Sequence, residues 1–97
     1  MIKEFKEILQ KAIDTYGKDA QQDMCIEEMS ELTKAICKIK RNRYNITNKL
    51  KEDLYEEIAD VYIMLEQLEM IFDCEPEVRD LMAYKIRRLE GRLREDE

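Results

Sequence analysis

Few residues in this chain can stop a helix. Its 97 residues include one proline, Pro76, and two glycines, Gly17 and Gly91. Between them the chain is rich in Glu, Lys, Leu, Ile and Met, most of which favour helix. Apolar residues recur at helical spacing, so the expected fold class is all-α. The length predicts one small domain over residues 1–97. A chain this short buries a modest core, so burial of helix faces in an oligomer is expected.

The periodicity predicts four helical stretches. The first, about residues 2–16, carries Ile2, Phe5, Ile8, Leu9, Ala12, Ile13 and Tyr16 on one face. Gly17 marks its stop. The second runs from about Asp19 to Lys40. Residues 41–48 lose the period and hold three Asn, so they read as the main loop. The third, about residues 48–73, opens at Thr47 or Asn48, either a suitable N-cap. The fourth, from Pro76 to about Leu93, is expected to turn Val78, Met82, Ile86, Leu89 and Leu93 inward, with a frayed tail beyond. Met24, Met29, Met64, Met70 and Met82 read as core filler.

Two acidic pairs stand out against this pattern. Glu28 and Glu31 lie in an E-E-x-x-E string, Glu57 and Asp60 in an E-x-x-D string, with residues 32–56 between them. On a helical wheel Glu28 falls within the apolar arc of its segment, and Glu31 lies roughly 60° to one side. Glu57 and Asp60 repeat that geometry. Two antiparallel helices would bring the four carboxylates together. Such a cluster is unfavourable unless cations neutralise it. With no histidine in the chain, hard oxygen donors favour Mg²⁺, with Mn²⁺ as a second option. The plainer alternative is solvated charge, common in a chain that is 41% charged.

Charge and composition exclude several classes. A net charge of −6 argues against sequence-independent nucleic-acid binding. The one basic patch, Lys38, Lys40, Arg41 and Arg43, suits a helix C-terminus or a phosphate contact. Cys25, Cys37 and Cys74 form no C-x-x-C motif and are expected to be reduced thiols. No segment has the apolar length of a membrane span, and Met1-Ile2-Lys3-Glu4 lacks the opening of a signal peptide. The expected location is cytoplasmic.

The two strings, their order and their spacing resemble the MazG-like all-α nucleoside triphosphate pyrophosphohydrolases. So do Tyr16-Gly17-Lys18-Asp19-Ala20-Gln21, the run Ile26 to Leu32, and Glu56-Glu57-Ile58-Ala59-Asp60-Val61. The likeness covers most of residues 16–93. It implies a helical core that assembles as dimers or as tetramers built from them. It also implies Mg²⁺-dependent hydrolysis of an NTP or dNTP to the monophosphate and pyrophosphate. Carried over, Glu28, Glu31, Glu57 and Asp60 are the metal ligands and catalytic residues. Lys85 and Arg88 are the nearest match to the family's phosphate-contacting cations, although Leu89 stands where an Asn is expected.

The chemistry is consistent with that resemblance. Phosphoryl transfer needs charge neutralisation more than a covalent nucleophile. Gln21, seven residues before Glu28 on the same face, is a candidate substrate contact or a surface residue near a helix start. Lys85 and Arg88 would steady phosphate oxygens or form ordinary ion pairs. The rival class is a non-catalytic helical oligomer, a nucleotide-binding or regulatory protein. A di-iron bundle normally needs E-x-x-H motifs, which are absent.

Overall fold

A computed structural model describes residues Lys3–Asp96. It contains four α-helices: α1 (Lys6–Tyr16), α2 (Lys18–Arg41), α3 (Asn48–Phe72) and α4 (Glu75–Asp96), with a 3-10 turn at Lys3–Phe5 before α1. No strand occurs among the described residues. The expected boundaries hold within a few residues. Ile2, placed on the first helix by its periodicity, lies outside the described residues. The last helix continues through the segment expected to fray, as far as Asp96.

Each boundary has a local cause. Gly17 takes φ 96°, a region that favours glycine, and alone separates α1 from α2. Its N–H donates to the Ile13 carbonyl at 2.8 Å. Thr47 caps α3, its hydroxyl accepting from the Leu50 N–H at 3.2 Å. At the far end Asp73 adopts the left-handed conformation, φ 50°, and the Cys74 N–H donates to the Glu69 carbonyl at 3.1 Å. That pattern ends a helix with a change of direction.

The principal packing joins α2 to α3, and α1 lies against both. Facing positions follow an antiparallel register: Gln21 meets Gln67, Glu28 meets Asp60, and Lys38 and Leu50 line one groove. The core is small: Leu9 and Ile13 from α1, Cys25 and Ala35 from α2, Val61 and Met64 from α3. Of the methionines expected as filler, Met64 alone is buried, and Met24, Met29 and Met82 are exposed. Cys25 is a core residue whose thiol is pushed up by burial. All three cysteines are free, as expected.

The fourth helix departs from expectation. Among the described residues α4 packs against α3 alone, and none of its residues is buried. Met82, Ile86, Leu89 and Leu93, expected inward, are all more than half exposed. Helical periodicity places these residues on one face, but it cannot specify whether that face meets the rest of the same chain.

Candidate metal centre

The register of α2 against α3 builds the site. Glu31 lies ten residues before the end of α2, and Glu57 nine residues after the start of α3. At a rise of about 1.5 Å per residue these two arms are nearly equal in length. The six-residue loop between the helices therefore returns Glu57 level with Glu31, and Asp60 level with Glu28. A gap of 25 residues thus becomes a juxtaposition of carboxylates.

Three of the four predicted acids converge. One carboxylate oxygen each from Glu28, Glu57 and Asp60 lies within 4.8 Å of the others. Glu28 and Glu57 are half-buried between the helices, while Asp60 is exposed at the rim. Glu31 stands beside the trio, close enough for its charge to act on Glu57. Its own carboxylate faces Lys34 Nζ at 3.4 Å.

The electrostatics are unbalanced. Partial burial, followed by the charges of Asp60 and Glu57, holds the Glu28 carboxyl above the usual carboxylate range. A hydrogen bond with Asp60 and the charge of Glu27 act in the same direction. Glu57 is raised first by burial, then by Asp60, Glu31, Glu56 and Asp53. One Glu57 oxygen, Oε2, is shielded from solvent and has no hydrogen-bond partner. A buried carboxylate oxygen without a donor is costly, and a cation or a proton removes that cost. The donor set is all oxygen, which suits a hard divalent ion.

Beside the trio lies a groove of about 140 Å³ at the loop end of the hairpin. Its walls carry Glu31, Lys34 and Lys38 from α2, and Asp53, Glu56 and Glu57 from α3. Two cations thus border the same depression as two of the acids. Sequence reading placed Lys38 in a terminal patch and missed Lys34 altogether. The available signal was spacing: Lys34 and Lys38 follow Glu31 at i+3 and i+7, which keeps all three on one side of the helix.

The three predicted substrate contacts stand apart. Gln21 is buried, and its Nε2 donates to Gln67 Oε1 at 2.6 Å. It is a core amide and not the surface residue that its place near a helix start suggested. Lys85 and Arg88 are exposed on α4, which packs against neither α1 nor α2 in this chain. Arg88 instead lies over the Tyr84 ring at 5.9 Å. Compared with family models, with curated proteins and with solved structures, the chain matches none of them.

Proposed function

We propose that this chain is a divalent-metal-dependent nucleoside triphosphate pyrophosphohydrolase of the MazG-like type. The observation that carries the reading is the unpartnered Glu57 Oε2 within the Glu28, Glu57 and Asp60 trio. Together with the E-E-x-x-E and E-x-x-D strings, it supports a cation site over solvated surface charge.

In this proposal Glu28, Glu57 and Asp60 hold the ion, and Glu31 joins them by turning from Lys34. When bound, Mg²⁺ or Mn²⁺ would neutralise triphosphate oxygens and make water more acidic. The chain's own contributions are orientation and proton transfer. Water adds across the α–β anhydride, giving the monophosphate and pyrophosphate. A carboxylate of the cluster takes its proton. Lys34 and Lys38 contact phosphate oxygens along the groove. A homodimer or homotetramer is part of the same proposal, and Lys85 and Arg88 meet nucleotide only within such an assembly. The non-catalytic helical oligomer is the reading left if turnover is absent.

The test is pyrophosphate release from a panel of NTPs and dNTPs, with Mg²⁺ and with EDTA. Glu57→Gln is expected to lower metal-dependent turnover by more than the roughly 10- to 100-fold that loss of a supporting group around a metal costs. Absence of turnover with every nucleotide, in folded protein, would refute the enzymatic reading.

A further inference from the structure

The carboxylate trio exists only in one register of α2 against α3. A slip of one helical turn displaces facing residues by about 5.4 Å. One oxygen from each of Glu28, Glu57 and Asp60 lies within 4.8 Å of the others, so that slip takes the trio apart. The acids themselves oppose the register, because ionised carboxylates repel.

The apolar core specifies the register weakly. Cys25 and Ala35 of α2 are small, and Met64 of α3 is an adaptable side chain. Leu9 and Ile13 of α1 add apolar area, but apolar attraction has no direction. Every residue of the loop over 42–47 is exposed, so the loop does not lock against the core. The ion pairs Lys34–Glu31 and Lys49–Asp53 each stay within one helix and carry no register information.

The buried amides supply what the core lacks. Gln21 Nε2 donates to Gln67 Oε1 at 2.6 Å, across 46 residues of sequence. Gln67 is 4% exposed, deeper than Met64 at 6%. Gln67 Nε2 lies 3.8 Å from the Met64 sulfur one turn away, which leaves the Gln67 oxygen for Gln21. A hydrogen bond is directional, and a slip would leave both amides buried without their partner. A single buried polar residue fixes register in paired helices by this means. The pair sits at the end of the hairpin opposite the loop. Counting from it toward the loop, Glu28 and Asp60 each stand seven residues away, Glu31 and Glu57 ten, and Lys38 and Leu50 seventeen. Glu28 and Asp60 do meet, and Lys38 and Leu50 do share a groove. One pairing therefore accounts for the whole antiparallel alignment.

We propose that the Gln21–Gln67 hydrogen bond fixes the register of α2 against α3 and is thereby the positioning pair for the carboxylate trio. Two helical turns from the trio, roughly 10 Å along the axis, it acts through the helices and not by touching an ion. Its effect on metal rests on the reading of the trio as a cation site, whereas its effect on register does not.

The decisive variant is Gln21→Leu with Gln67→Leu, which removes both amides and leaves none orphaned. Its urea unfolding should stay near that of the natural chain, while its affinity for Mn²⁺, read by calorimetry, falls roughly tenfold or more, as on loss of a supporting group around a metal. Contacts between α2 and α3, read by NMR in EDTA, should show slipped registers beside the native one. Ile13→Ala is the control: it weakens the core but should keep both the register and the Mn²⁺ affinity. Unchanged register and affinity in the double variant would overturn the proposal, as would an equal loss of affinity in Ile13→Ala. The natural chain in EDTA gives a test that needs no variant to fold. One register is expected there, and mixed registers resolved only by Mg²⁺ would mean that the ion, not the amide pair, sets the alignment. A natural chain that binds no divalent ion would refute the cation site alone, and the NMR registers would still decide the role of the pair.

Discussion

The α2–α3 hairpin and α4 are similar in sequence yet differ in surroundings. Both are long, charged and amphipathic. In the hairpin the apolar stripes face each other, and Cys25, Ala35, Val61 and Met64 are buried with help from Leu9 and Ile13 of α1. Burial there is tight enough to trap acids along with apolar groups. In α4 the stripe is equally regular, yet no residue is buried. The difference teaches that helical period and tertiary partner are separate pieces of information. A six-residue loop forces α2 and α3 together, whereas the turn at Asp73 directs α4 away.

Core truncation should divide the two regions most sharply. Ile13, 2% exposed, touches the three-helix core. Ile13→Ala should cost about 3 kcal/mol of unfolding free energy in urea. Its cost should be the same at every chain concentration. Leu89→Ala on α4 should cost stability at high concentration and little at low concentration. Equal, concentration-independent costs would erase the distinction between the regions.

Metal comes next. A divalent ion that binds the folded hairpin alone should add about 2.7 kcal/mol at a hundred times its dissociation constant. The sign with pH follows from the raised carboxyls of Glu28 and Glu57. The folded state binds their protons more tightly than the unfolded chain does. Their contribution to metal-free stability is therefore full below the ordinary value of 4.5 and is lost as pH rises through the raised values. Mg²⁺ should accordingly raise the melting temperature most at neutral pH, and progressively less as the pH falls and protons compete for the carboxylates. Melting curves that are identical in EDTA and Mg²⁺ at neutral pH would count against the site. In EDTA, Glu57→Gln should melt higher than the natural chain.

The buried amide pair gives a smaller effect. Gln21→Leu leaves Gln67 without its partner and should cost about 1–3 kcal/mol, read by urea unfolding. The double change Gln21→Leu with Gln67→Leu should recover most of that loss. If Gln21→Leu instead leaves stability unchanged and weakens nucleotide binding, its role lies at the site and not in the core.

The smallest expected effect is at the groove. Lys38 is exposed, so Lys38→Ala should raise KM for a nucleoside triphosphate by up to about fivefold and leave kcat nearly unchanged. The same substitution at Lys85 should have no effect in a monomeric variant. A Lys85 effect confined to the assembled protein would instead connect α4 to the site.

The residues themselves made much of this legible. The scarcity of Gly and Pro, with helical spacing of apolar residues, marked four helices and their limits at Gly17, Thr47 and Pro76. These are local effects: propensity, a hydroxyl cap, and a glycine at positive φ. The acidic strings were legible for the same reason, since i, i+3 spacing specifies a helix face. Equal arms around a short loop then brought Glu28, Glu57 and Asp60 together. Tertiary structure alone decided the remainder. It buried Gln21 against Gln67, set Lys34 and Lys38 across a groove from Asp53, Glu56 and Glu57, and left Met82, Ile86, Leu89 and Leu93 uncovered. Each of these outcomes depends on which face meets which neighbour, a property of distant contacts that no local period encodes.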